Sequence, residues 1–305
     1  MDKKSNLPLV SIIITTYNRS NYLKTCIESV VNQTYTNIEI LVIDDGSKDE
    51  IAKENKIICR NYNLCTYYYK KNSGQPASRN YGIKKATGDY IAFCDDDDFW
   101  ALNKLEKQVS ILDNNKDIGL VTGSIEYVKY DGTKTGKIKT HKGYNHGYVF
   151  ADFLIKNRTS SITPMLRKEV FEKVGYFNPN FTIAEDWEFW RRVSYYYKFY
   201  FIDEVLAYVR LHVDNMSISR SGSVIERYKL YKKLTKSLLL WGEERFSKED
   251  IQQIEYIEWC HYRKLFSNNL NGIKKKTMFL ASISSDIPYL IKLYSTYNKD
   301  YKIQK

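Results

Sequence analysis

Three apolar, β-branched runs in the first hundred residues each end in a polar cluster, and this pattern most narrows what the chain can fold into. Leu9-Val10-Ser11-Ile12-Ile13-Ile14 leads into Thr15-Thr16-Tyr17-Asn18. Ile38-Glu39-Ile40-Leu41-Val42-Ile43 leads into Asp44-Asp45-Gly46-Ser47, and Tyr90-Ile91-Ala92-Phe93-Cys94 into Asp95-Asp96-Asp97-Asp98. Such continuous runs predict strands buried on both faces, as in a parallel sheet. Helical patterns lie between them. Ser20 can cap a helix through about Gln33, with Leu23, Ile27, Val30 and Val31 on its inner face. A second helix is expected from about Asp49 to Asn61, then a strand at Thr66-Tyr67-Tyr68-Tyr69. Pro76 suits the first turn of a third helix, reaching Ala86. Alternating strands and helices imply an α/β fold with right-handed crossovers. In such sheets ligands bind beyond the carboxyl ends of the strands. The three polar clusters are therefore expected at one edge.

The middle of the chain is mixed. Residues 118–129 read as a strand, 131–146 as an exposed polar loop or hairpin, and Ser160 to Leu166 as extended. Glu185 to Tyr195 has helical character, and Phe199–Ile202 and Val205–Leu211 read as two strands. Beyond Ser221-Gly222-Ser223 the pattern changes. Ile225, Tyr228, Tyr231, Leu234 and Leu238 recur at helical spacing, with further helices expected at about 248–268 and 277–297. A boundary near Ser219 to Ser223 divides a catalytic-type domain, 1–219, from a helical C-terminal region, 220–305.

Charge separates the same two parts. Residues 220–305 carry 17 Lys/Arg against 9 Asp/Glu, whereas residues 1–219 carry 30 against 27. A basic tail points to an anionic surface or a phosphorylated partner. The hydrophobic share of 43% is enough for a buried core. The five cysteines, Cys26, Cys59, Cys65, Cys94 and Cys260, have no metal-ligand or redox spacing and suggest a reducing compartment. Residues 1–6 do not read as a signal peptide. The longest apolar C-terminal stretch, Met278 to Tyr294, is broken by Asp286, Pro288 and Lys292. The expected place is the cytoplasm or the inner face of a membrane.

The aspartate run carries the sharpest chemistry. In an extended chain residues i and i+2 point the same way, so Asp95 and Asp97 can face one ligand. Mg²⁺ or Mn²⁺ takes one or two carboxylates together with substrate phosphates. The plainer reading is a solvated acidic turn. Against it, the run comes directly after a buried strand, where clustered like charges need a cation to offset them. Asp-Asp-Gly-Ser alone is ordinary turn chemistry. Combined with the aspartates, Thr15, Tyr17, Asn18, Asp44 and Asp45 supply a ring and polar groups for a nucleotide. Arg79, on the helix after Pro76, would hold the nucleotide or the acidic cluster.

These segments, with Ser29-Val30-Val31-Asn32-Gln33-Thr34, Asn72-Ser73-Gly74, Ala77-Ser78-Arg79-Asn80-Tyr81-Gly82-Ile83 and Gly88-Asp89, resemble family 2 glycosyltransferases over about residues 8–216. The resemblance implies a GT-A fold: a Rossmann-like, mixed and mainly parallel sheet flanked by helices. Residues 8–100 would bind the nucleotide-sugar and 101–219 the acceptor. It also implies that Thr15, Tyr17 and Asp45 contact the uracil or ribose, and that Arg79 approaches the nucleotide. Asp95-Asp96-Asp97 would be the DxD-type motif, with Asp97 the direct metal ligand. The family usually has a small residue where this chain has Asp96. Ala184-Glu185-Asp186-Trp187-Glu188 resembles the Glu-Asp motif whose Asp is the catalytic base, which points to Asp186. Glu185 and Trp187 would flank the acceptor or sugar subsite, though Trp187 reads equally well as core. The segment Tyr208 to Ser217 resembles the end of such domains, where a His, here His212, completes the metal site.

The expected activity is inverting, metal-dependent transfer of a sugar from a UDP-sugar to a glycan or lipid-linked acceptor in bacterial cell-surface polysaccharide synthesis. Mn²⁺ or Mg²⁺ is the expected cofactor. The C-terminal helices would meet an anionic membrane or a second copy of the chain. A nucleotidyltransferase is one alternative, but the chain lacks a Gly-rich phosphate loop. A basic nucleic-acid-binding protein is another, but no such motif is present, and no nucleic-acid partner is expected.

Overall fold

The structure is a computed structural model, and it describes residues 7–144, 146–212, 223–269 and 286–301. The predicted α/β alternation is present in the first part. Strands β1 (Val10–Thr16), β2 (Ile38–Asp44), β3 (Cys65–Tyr69) and β4 (Tyr90–Asp95) alternate with helices α1 (Leu23–Val31), α2 (Asp49–Arg60) and α3 (Gln75–Lys85). Then come β5 (Phe99–Trp100), α4 (Lys104–Asn114), β6 (Ile118–Val128), β7 (Lys134–Lys139) and α5 (Phe150–Ile155). They are followed by β8 (Met165–Arg167), α6 (Glu169–Val174), α7 (Glu185–Tyr196) and β9 (Lys198–Arg210). One sheet has the order β3-β2-β1-β4-β8-β6-β9-β5, with β7 paired to β6. The first four strands are mutually parallel, and β8 joins β4 to β6 by antiparallel pairing.

The strands are apolar on both faces because both are covered. Ile12 and Ile14 are fully buried in one cluster with Leu23, Cys26, Ile27 and Val30 of α1. On the other face α3 lies very close to β1: a Cβ at Gly82 would sit 2.6 Å from Ile13 Cγ2. Only a glycine permits that approach, and nearer its N-terminus the same helix meets the end of β4 through Gln75 and Arg79.

Three local expectations need correction. Ser20 does not cap α1; its hydroxyl donates to Glu54 (2.8 Å), and Tyr22 holds the cap position. The two strands expected at 199–211 are one, β9, whose pairing with β6 shifts register rather than breaking. Of Ser160 to Leu166 only the end is extended, because Thr163 N turns back to Ser160 O (3.3 Å). The polar segment 131–146, expected as a loop or hairpin, does contain a hairpin strand, β7, paired antiparallel with β6.

The chain divides into two compact units, Met1–Phe153 with Asn157–His212, and Leu154–Lys156 with Val213–Lys305. The second contains α8 (Val224–Trp241), α9 (Lys248–Asn269) and α10 (Ile287–Tyr301). Helix α8 opens on a capping box between Ser223 and Glu226. Tyr228, Trp259, Tyr262, Leu265, Leu293 and Tyr297 form its core. The buried carboxylate of Glu258 accepts from the hydroxyls of both Tyr262 and Tyr289. Residues 219–222 of the expected boundary, 213–217 of the segment after His212, and 277–285 of the last expected helix lie outside the described residues. Among the described residues no helix is long and apolar enough to cross a membrane.

Candidate active site

Register alone brings the three polar clusters together. Thr16 of β1 pairs with Asp44 of β2, and Thr15 pairs with Asp95 of β4. All three strands therefore stop at one level, and the polar residues after each must project from the carboxyl edge of the sheet.

On the β2 side, Asp45 clasps the loop after β3. Its carboxylate accepts from Ser73 N (2.9 Å) and Gly74 N (2.8 Å) and pairs with Lys70. Gly46 makes the turn possible at φ +81°, where a Cβ would lie 2.7 Å from Asn72 N. Asn18 ties the β1 loop to the same turn: its N–H donates to Ser47 Oγ, and its Oδ1 accepts from Lys48 N, both at 2.8 Å. Tyr17 stands beside it with half its surface exposed, as a stacking ring requires. Thr15 is nearly buried in the strand. Asp44, expected among the nucleotide contacts, has another place. It is fully buried, and its oxygens accept from Ser47 N (2.8 Å), Asn55 Nδ2 (3.0 Å) and Tyr67 OH (2.8 Å). Its geometry is that of a brace under the turn.

The four aspartates diverge into four environments. Asp95 accepts from Gln75 Nε2 (2.8 Å) and from the fully buried Arg79 (2.9 Å). Asp96 accepts from Thr16 Oγ1 (2.6 Å) and pairs with Arg19 (3.1 Å). Burial pushes its carboxyl up to about 7, against the lowering pull of Arg19. Asp98 accepts from Arg210 N (2.9 Å), and burial together with the charges of Asp97 and Asp95 pushes its carboxyl well up. Asp97 Oδ2 lies 2.8 Å from His212 Nε2 and 2.5 Å from Arg19 Nη1. Arg210 holds the end of β9 against this run through Asp97 O (3.0 Å), which sets His212 in place.

Two ligands at right angles on an ion with bonds of ~2.1 Å lie about 3 Å apart, so the Asp97–His212 pair has the bite of two adjacent ligands. One carboxylate oxygen and one imidazole nitrogen suit Mn²⁺. Among the described residues no group of three His, Cys, Asp or Glu side chains converges as a cage. The remaining ligands would come from substrate phosphate and water, the usual arrangement for such ions.

Across the mouth, α7 carries Glu185 and Asp186 in its first turn, a favourable place for carboxylates. Asp186 accepts from Asn157 Nδ2 (2.9 Å) and Trp187 N (2.7 Å) and is partly open to solvent. Glu185 and Trp187, expected at the acceptor subsite, face inward instead. Glu185 is buried against Arg79 (3.2 Å). Trp187 is 8% exposed, and its Nε1–H donates to Phe153 O. Arg79 therefore links the end of β4 to the start of α7 rather than facing an open nucleotide pocket. Among the described residues the two non-glycine positive φ angles are at Asn18 (51°) and Ala184 (60°), and both flank this mouth. Backbone strain of this kind concentrates at functional sites.

Three residues of the site, Arg19, Lys70 and Asn157, escape sequence reasoning. Arg19 adjoins the first polar cluster directly, so its position is a usable signal. Lys70 and Asn157 carry none, since only the fold brings them to Asp45 and Asp186.

Residues 11–175 match the family described as Glycosyl transferase family 2. An uncharacterized glycosyltransferase of Rickettsia typhi is 32% identical over 96% of this chain and 94% of its own. Among solved structures, Staphylococcus aureus TarS 1–349 in complex with UDP-GlcNAc superposes with a TM-score of 0.67 at 16% identity, covering 94% of this chain and 83% of that one. The Pyrobaculum calidifontis mannosyltransferase PcManGT in complex with GDP-Man and Mn²⁺ gives 0.56 at 15% identity, covering 97% and 88%.

Proposed function

The chain belongs to glycosyl transferase family 2 and has the GT-A fold, and from that premise we propose that it is a divalent-metal-dependent, inverting transferase of a sugar from a UDP-sugar. The acceptor is a hydroxyl of a glycan or lipid-linked glycan, in the synthesis of a bacterial cell-surface polysaccharide. The observation that carries this reading is the meeting of Asp97 with His212, the Asp45 clasp and Asp186 at one sheet edge. Family membership sets aside the nucleotidyltransferase and nucleic-acid-binding alternatives.

Tyr17 packs on the base, and the Asp45 turn borders the nucleoside. Asp97 and His212 would hold the ion, whose chemistry there would be to offset negative charge on the leaving diphosphate. Asp186 takes the proton from the acceptor hydroxyl, and Asn157 fixes its orientation. A single displacement on the face opposite the leaving group inverts the anomeric carbon. Bound states of the two superposable enzymes, one with UDP-GlcNAc and one with GDP-Man and Mn²⁺, support a nucleotide-sugar donor and a divalent ion. The basic C-terminal unit attaches the enzyme to an anionic lipid surface on the cytoplasmic side; Leu240, Ile291 and Tyr294 are more than half exposed there, among many lysines.

A donor screen with Mn²⁺ and Mg²⁺, reading nucleoside diphosphate release, tests the proposal. Asp186→Asn is expected to lower kcat by about 10²- to 10⁴-fold while donor binding persists. Asp97→Ala is expected to abolish turnover and metal binding together. Release of pyrophosphate, or full activity in EDTA, contradicts the reading.

A further inference from the structure

We propose that Arg19 is the cation this site carries before it is loaded, and that a divalent ion must displace its guanidinium from Asp97 and His212. The inference rests on the reading of those two residues as metal ligands. Arg19 Nη1 lies 2.5 Å from Asp97 Oδ2 and 3.3 Å from His212 Nε2, so both prospective ligand atoms face one guanidinium nitrogen. An imidazole nitrogen has one in-plane lone pair. At 2.8 Å from the Asp97 carboxylate, that lone-pair position on His212 Nε2 carries the N–H that Asp97 Oδ2 accepts, so an ion that takes the nitrogen replaces this proton and crowds out the Arg19 guanidinium 3.3 Å away. Two cations at the same pair of atoms also repel strongly where solvent is scarce.

Arg19 has both the reason to be there and the means to leave. Asp96 is almost wholly buried, and a buried carboxylate needs a partner. Arg19 Nη2 supplies it at 3.1 Å, which gives Asp96 a purpose at a position where the family usually has a small side chain. The Arg19 side chain is one-third exposed and comes directly after the strained Asn18. The guanidinium can thus pivot on Asp96, keeping Nη2 bound while Nη1 leaves Asp97. The freed N–H groups then face the mouth of the site as donors to an anionic oxygen of the substrate.

The test is Mn²⁺ affinity of the full chain without donor, monitored through the electron paramagnetic resonance of free Mn²⁺, for wild type, Arg19→Gln, Asp97→Ala and the double variant. Arg19→Gln is expected to bind Mn²⁺ about tenfold tighter or more, in the range of second-shell effects on metal sites. The gain should vanish when Asp97 is also Ala. Unchanged or weaker binding in Arg19→Gln, with Asp97-dependent binding intact in wild type, overturns the displacement and leaves the metal site standing. Absence of Asp97-dependent binding in both proteins overturns the metal reading and this inference with it. A second measurement uses the wild-type fold: the Arg19 Nε–H resonance, assigned by its loss in Arg19→Lys, should move during Mg²⁺ titration. A resonance that stays fixed while Mg²⁺ binds also overturns the proposal.

Discussion

Arg79 shows how one buried charge joins two halves of a site. It sits over the rings of Phe93 and Phe177 and pairs with both Asp95 and Glu185. Burial opposes its charge, yet the carboxylates of Asp95, Glu185 and Asp186 hold its pKa above the ordinary arginine value. Arg79→Ala removes the cation that pairs with two carboxylates, one of them buried, and is expected to destabilise the fold by about 3 kcal/mol or more, measured by urea unfolding. Arg79→Lys keeps the charge but loses the fork. It should retain most stability and lose kcat with little change in donor KM, because the lost link runs toward Asp186. Lys104 is a different buried charge. It lies over the Trp100 ring at 3.8 Å, donates to Gln108 (2.7 Å), and burial lowers its pKa to about 7. Between pH 7 and its unfolded value the unfolded chain binds a proton that the folded chain lacks. Its contribution to stability therefore rises with pH through that window, by up to about 1.4 kcal/mol per unit. The stability of wild type relative to Lys104→Met should increase from pH 7 to pH 9.5 in urea titrations; parallel profiles would contradict this.

At the scale of elements, the strand ends and the turns after them do the positioning. The β2–α2 turn depends on Gly46, whose φ of +81° and contact with the loop after β3 exclude a side chain. Gly46→Ala is expected to destabilise by about 1–3 kcal/mol and to open the Asp45 clasp. The kinetic signature should be a raised donor KM with a smaller change in kcat, since Asp186 stands on a different element. The strands β1, β2 and β4 are legible from their apolar runs and from crossover rules. The pairing of β6 with β9 is not, because the local pattern of β9 reads as two strands. Its register shifts let one bent strand carry Arg210 and His212 to the aspartates.

For the whole molecule, charge is divided between the units rather than spread. The region 220–305 carries 17 basic residues against 9 acidic, and it also bears the exposed Leu240, Ile291 and Tyr294. Attachment to a membrane should thus depend on anionic lipid and weaken with salt. Co-sedimentation with vesicles containing phosphatidylserine, as against neutral phosphatidylcholine, is the measurement. Equal binding to both, or none, would favour a second copy of the chain on that surface, which sedimentation velocity would reveal.

Local pattern is enough for the α/β class and for the strand ends as the place of the site, because strand burial and turn chemistry are properties of short segments; Asp97 as direct ligand, His212 and Asp186 become candidates only through the family resemblance. The partners of those residues are decided only by tertiary structure. Whether a carboxylate braces a turn, as Asp44 does, or faces the mouth depends on which side chains reach it from distant elements. So does the inward turn of Glu185 and Trp187, which is set by Arg79 and the Phe153 carbonyl. Long-range contacts between buried polar groups have no signature in local sequence; they exist only once the chain has closed around them.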